Sequence, residues 1–225
     1  MAYSNKACEQ FFGFIYFSVS SYWGWSVLRT SEMLPWYLGG PSDAQFGKTP
    51  VNTVFLAYSQ EMLDYSLYTY GYHFGDLLQH LFLDEHVNDF EEMLLHHIAA
   101  VSLYFCYIFG NVVPFGAVIA YLHDIADIFG RMSKGLNCTT FQDSSAVAFV
   151  CCMVTWFVTR IYCLPQMIWF IFTKVQYPGE LAVFQPFIPL TGVFLSTMCA
   201  LHYFWFVMFF KILSRYIFEG EARDI

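Results

Sequence analysis

A chain of 225 residues with 57% hydrophobic, 21% aromatic and 12% charged side chains, and a mean hydropathy of +0.47, lacks the charge that keeps an ordinary globular domain in water. The composition is that of a polytopic membrane protein: one domain of a few spans, with no room for a second soluble one. The formal net charge of −8 argues against docking on anionic lipid and excludes nucleic acid as an expected partner.

Residues 1–10 read as an N-terminal tail, without an Arg-rich amphipathic presequence. The first apolar run, 11–28, has no small-residue cleavage site behind it and reads as an anchor. Pro35, Gly39, Gly40, Pro41 and Pro50 break the loop that follows. A second run covers 51–74, and His73, His80 and His86 are expected near the next loop as solvated histidines. Runs three and four, 93–109 and 112–129, are joined by a tight turn at 110–114 and predict a helical hairpin. Run five, 147–172, contains Pro165 and predicts a kink; run six covers 187–210, with a polar tail at 216–225. The predicted fold is all-α, a six-helix membrane bundle over 11–215.

An even number of spans puts both termini on one side. Lys6, Arg131, Lys134, Lys211, Arg215 and Arg223 fall on that side, against Arg29, Lys48 and Lys174 on the other, so the termini are expected inside. The sequon Asn137-Cys138-Thr139 then faces away from the lumen and is expected to stay unmodified. None of the seven cysteines forms a Cys-x-x-Cys pair, and packed thiols are the expected reading.

The densest chemistry lies in 89–137, where two apolar runs carry His96, His97, His123, Asp124 and Asp127. Ionisable groups inside membrane helices are costly, which makes them functional candidates. Counted from the turn at Pro114, His97 lies ~17 residues back, roughly 25 Å of helix, and Asp127 ~13 residues forward, roughly 20 Å. In an antiparallel hairpin the groups therefore reach similar depth, in the inner half of the bilayer. His123 and Asp127 are spaced i, i+4, and Asp124 and Asp127 i, i+3, so all three share a face. The spacing predicts His96 or His97 within hydrogen-bond reach, directly or through one water, of Asp124 or Asp127.

An imidazole beside a carboxylate is an oriented base, and histidine can also accept an acyl group and pass it on. No Gly-x-Ser-x-Gly setting competes for the role of nucleophile. A metal site is the rival reading, but no His-x-x-x-His pair occurs here, and neighbouring histidines on a helix point about 100° apart. No metal is expected. A buried polar network that ties two helices together is the third reading.

Asp89-Phe90, Glu92-Met93 and His96-His97, with Leu103, Asn111 and Gly116, then His123-Asp124-x-x-Asp127, Lys134 and Asn137, resemble the Lag1 motif of ceramide synthases in the TLC-domain family. Glu9, Val27-Leu28 and Pro35-Trp36, then Trp156, Thr159-Arg160 and Pro165, then Leu201-His202 and Trp205, extend the resemblance over nearly the whole chain. It departs from the family at Ala100, Pro114 and Arg131, where the family has Thr, Arg and Glu.

The resemblance implies a six-helix TLC bundle in the endoplasmic reticulum that moves a fatty acyl group from acyl-CoA to a sphingoid base. His96, His97, His123, Asp124 and Asp127 would be the catalytic set. Acyl-CoA enters as co-substrate, with no bound cofactor. Arg160, His202 and Asn111 are candidate substrate-binding residues; for Arg160 an interhelical ion pair, and for His202 a bond to a neighbouring helix, are the bland alternatives. The rival function is a non-catalytic TLC subunit that binds lipid or braces a larger assembly, for example in the mitochondrial inner membrane. A homodimer or membership of such a complex would fit either reading.

Overall fold

The computed structural model describes residues 2–41, 58–83, 89–139, 141–175, 177 and 179–219. Lys48, Pro50, residues 51–57 of the second run, Asp84, Glu85, His86 and Arg223 lie outside the described residues. Within those residues the chain is helical and has no strand.

Six rods form the bundle. They are α1 (Ala2–Leu28), α2 (Gln60–Leu83), α3 (Phe90–Phe109), α4 (Val113–Asn137), a composite fifth rod and α7 (Phe187–Glu219). The fifth rod joins α5 (Gln142–Trp156), a π-helical segment (Phe157–Cys163) and α6 (Leu164–Thr173). Short 3-10 turns, Trp36–Leu38 and Gly179–Phe184, lie in two of the connections. The six-helix all-α bundle expected from the sequence is therefore present.

Four segments are long and apolar enough to cross a bilayer: Phe90–Phe109, Val113–Asn137, Asp143–Thr173 and Ala182–Phe218. The rods α1 and α2 are as long, but their Trp, Tyr, Ser and Gly content lowers their hydropathy. Such aromatics are at home at membrane interfaces. The protein is an integral membrane protein.

Three local outcomes differ from the sequence reading. Helix α1 begins at Ala2, so the expected N-terminal tail is mostly helix, held by contacts of Arg131 to Glu9 (3.9 Å) and Gln10 (3.4 Å). Helix α7 likewise runs on to Glu219, into the expected C-terminal tail. The larger displacement is in α2, which continues past Phe74 to Leu83 and carries His73, Asp76 and His80 inside the helix. His80 is buried rather than solvated, stacked on Phe90 and 3.0 Å from its carbonyl oxygen. His73 is half-buried against Tyr104.

Pro165 acts through the π segment just before it. A proline has no N–H for the carbonyl four residues back and crowds it sterically. That carbonyl belongs to Ile161, and the Tyr203 hydroxyl of α7 donates to it at 3.4 Å. The wider π turn separates the clashing groups and brings Arg160 into the core. Elsewhere, Ser66, Thr69, Thr155, Thr191 and Ser196 return their hydroxyls to carbonyls one turn back, which satisfies them inside apolar helices.

Helix α4 is the axis of the bundle: 72% of its apolar window is buried, against 22% for α7. It packs on α1 along one side and on α5 along another. Its turn from α3 passes through Asn111, whose φ of 55° suits an Asn better than most residues, and Pro114 sits in the first turn, where its missing N–H is harmless. Small residues let α4 come close to its neighbours. A Cβ on Gly116 would stand 2.1 Å from the Tyr107 ring. Gly116→Val is therefore expected to lower unfolding stability by about 1–3 kcal/mol or more, read as a fall in the thermal midpoint of purified protein. An unchanged midpoint would mean that α3 and α4 are not packed this way.

Candidate functional site

The ionisable groups of four rods converge at one level of the bundle. Helix α3 supplies His96 and His97, α4 supplies His123, Asp124 and Asp127, the π segment supplies Arg160, and α7 supplies His202. Helix α2 adds His73, expected from the sequence near the next loop, and Asp76. His73, His96, His123 and Asp127 line one cavity of about 30 Å³, together with Tyr104 and Tyr107. By volume it holds about one or two waters.

The imidazoles are linked to one another. His123 Nε2 lies 2.9 Å from His202 Nε2, and His123 Nδ1 lies 2.7 Å from the Ile119 carbonyl oxygen. A proton on His123 Nδ1 would serve that carbonyl and leave Nε2 as acceptor from His202. The His202 ring lies 5.6 Å from the His96 ring, centre to centre, and His96 lies 5.6 Å from His97. His202 thus joins the cluster instead of standing alone. The Trp156 indole donates to its backbone carbonyl at 3.3 Å.

The carboxylates take their partners from other rods. Asp124, fully buried, accepts a hydrogen bond of 2.5 Å from the Ser20 hydroxyl of α1. Asp127 pairs with Arg160 at 2.8 Å. The acid that faces the His pair is Asp76 of α2, whose Oδ2 lies 3.8 Å from His97 Nδ1. Spacing along α4 alone could not reveal these partners, because each comes from another rod. The signal for α2 was present in its own sequence: His73, Asp76 and His80 fall at i, i+3 and i+7 and share one helix face.

Arg160 is held on three sides. It is 2% exposed, pairs with Asp127, donates to the His123 carbonyl oxygen at 2.8 Å, and lies 3.8 Å from the centre of the Trp156 ring. These contacts make Arg160 the partner of a cluster carboxylate. Asn111 stands in the α3–α4 turn, at the other end of the hairpin from His96 and His97, and its left-handed backbone serves the turn. Ala100, one of the departures from the Lag1 pattern, lines the cavity beside His96. Arg131, another, stacks against Phe17 and reaches Glu9. No group of three or more His, Cys, Asp or Glu side chains among the described residues is arranged to hold a metal ion.

A family model, the TLC domain, matches residues 6–211. The chain belongs to the TLC-domain family. Among curated relatives, it is similar to ceramide synthase 4 of Mus musculus, with 26% identity over 228 residues, 98% of this chain and 53% of that protein. It is also similar to ceramide synthase hyl-2 of Caenorhabditis elegans, at 29% over 69% of this chain and 50% of that protein. The likeness to Alternaria stem canker resistance protein 1 of Solanum lycopersicum is 24% over 98% of this chain and 72% of that protein. The chain thus spans about half the length of the two ceramide synthases and is ceramide synthase-like in family.

The ion pair gives a direct test of this geometry. Arg160→Met leaves Asp127, whose side chain is 29% accessible, without its counter-charge. The expected loss is roughly 2–3 kcal/mol of stability, below the 3–5 of a fully buried pair because of that access. The double variant Arg160→Met with Asp127→Leu should recover most of it, since both charges are then gone. A double variant no more stable than the single one would show that the two side chains do not pair.

Proposed function

We propose that this protein transfers a fatty acyl group from acyl-CoA to the amine of a sphingoid base. The reading is carried by the buried imidazole cluster around one cavity, in a chain of the TLC-domain family whose relatives are named ceramide synthases. His96, His97, His123, Asp124 and Asp127 are the proposed catalytic set, within a TLC domain over 11–215. Membrane lipids surround the site, acyl-CoA is the co-substrate, and the endoplasmic reticulum is the proposed compartment.

His96 is the best-placed base. It faces the cavity, and its Nδ1 is buried without a hydrogen-bond partner among the described residues. His123 is less available, since both its ring nitrogens are engaged. In the transfer, His96 removes a proton from the attacking amine. The amine nitrogen bonds to the thioester carbon, the carbon–sulfur bond breaks, and the thiolate takes up a proton to leave as the thiol. Asp127, held by Arg160, supplies the negative charge that favours imidazolium on the far wall of the cavity.

A second reading rests on the size of the cavity. About 30 Å³ is far below the several hundred that a site for a long-chain ligand encloses, so substrates need the rods to part. A larger open groove of about 390 Å³, lined by Tyr121, Ile125, Val154 and Val158, runs along another face of α4 and includes none of the histidines. That combination suits a non-catalytic subunit that holds lipid and braces an assembly, such as one of the mitochondrial inner membrane.

Purified protein in lipid, supplied with acyl-CoA of several chain lengths and a sphingoid base, separates the two. The enzyme reading expects N-acylated product, and a loss of at least about 100-fold in turnover for His96→Ala and His97→Ala with the helical fold intact. Wild-type protein that forms no product with any chain length leaves the subunit reading in place.

A further inference from the structure

Among the described residues, the acid paired with His97 belongs to neither α3 nor α4. Asp76 Oδ2 lies 3.8 Å from His97 Nδ1. That is ion-pair distance, beyond hydrogen-bond reach; polar pairs of a resting site are often apart until substrate closes them. The His97 side chain is 6% accessible and that of Asp76 is 26% accessible. The pair therefore runs from the buried centre of the bundle to its accessible flank. His97 in turn neighbours His96, with ring centres 5.6 Å apart.

The chemistry of the proposed reaction needs such a route. At neutral pH a long-chain amine is an ammonium ion. Joining it to a thioester forms one carbon–nitrogen bond, breaks one carbon–sulfur bond, yields the amide and the free thiol, and releases one proton. That proton starts in a cavity of about 30 Å³ lined by Tyr104 and Tyr107. Asp124 and Asp127 are poor exits: one is fully buried on Ser20, the other is tied to Arg160.

We propose that Asp76 is a positioning residue of this site: it holds His97 with the proton on Nδ1 and Nε2 as acceptor, and passes the released proton from His97 to the accessible flank of α2. The inference rests on the acyl-transfer reading for the proton, but not for the tautomer. His73 and His80 come from the same helix as Asp76, with the His80 ring centre 5.3 Å from that of His97. His96 adjoins it on α3. Among the described residues, Asp76 is the carboxylate of α2 placed against His97.

The test uses the full chain in lipid nanodiscs, with ring-15N histidine, in the wild type and in Asp76→Asn and Asp76→Glu. The His97 signal is assigned by its disappearance in His97→Gln. The expected result is an Nδ1–H tautomer at His97 in the wild type, its loss in Asp76→Asn and its return in Asp76→Glu. In the acylation assay, Asp76→Asn should lower kcat at least about tenfold with KM little changed, and Asp76→Glu should restore much of it. A His97 tautomer that is the same in the wild type and Asp76→Asn overturns the pairing, whatever the activity. A tautomer that shifts as expected in a protein without acyl transfer upholds the pairing and removes the reaction. A normal kcat in Asp76→Asn, beside a shifted tautomer, overturns the proton exit.

Discussion

Asp127 and Arg160 meet at 2.8 Å inside a bundle built almost wholly from apolar side chains. An isolated charge in that setting is costly, so neither residue is tolerable without the other. The pair fixes more than itself. Through its second hydrogen bond, Arg160 holds the backbone carbonyl of His123, and through its face it holds Trp156, whose indole anchors the backbone of His202. One guanidinium thus sets the height of α4 against the fifth rod and, one step further, against α7. The imidazole contact between His123 and His202 depends on that registration. The π segment is part of the same arrangement, since Pro165 opens the turn that brings Arg160 inward.

Much of this frame was legible in the sequence. The α3–α4 hairpin followed from two apolar runs and a turn, and the shared depth of the His pair and the HDxxD cluster followed from counting residues along it. The displacement of α2 did not. Hydropathy finds a rod by its Leu, Ile and Val, whereas α2 is rich in Tyr, Gly and polar residues whose burial depends on what faces them. His73 and His80 therefore read as residues near a loop, although α3 packs beside them. Partner identity was invisible for a related reason. Spacing along one helix says which side chains share a face, but Ser20, Arg160 and Asp76 reach their partners from other rods.

The residues that depart from the Lag1 pattern have local explanations that leave the cluster undisturbed. Pro114 falls in the first turn of α4, where a proline costs no hydrogen bond. Arg131 is engaged by Glu9, Gln10 and Phe17 at the end of α1. Ala100 alone touches the cavity, and its small side chain leaves room there instead of adding a polar group.

The small cavity also constrains how any long ligand could be admitted. Parting α3 from α4 would lift Tyr107 out of the notch at Gly116. Helix α4 is buried along most of its length and meets α1, α2, α3 and α5, so its displacement would break contacts on several sides at once. Helix α7 is different. Little of it is buried, and hydrocarbon chains can replace much of what a displaced α7 would lose, because lipid tails are as apolar as the side chains they would cover. Yet α7 carries His202, and moving it away takes that ring from His123 Nε2. Opening the bundle on this side and freeing an imidazole nitrogen at its centre are therefore one event. A site arranged in this way keeps its most available nitrogens covered until something wide enough to part the rods arrives.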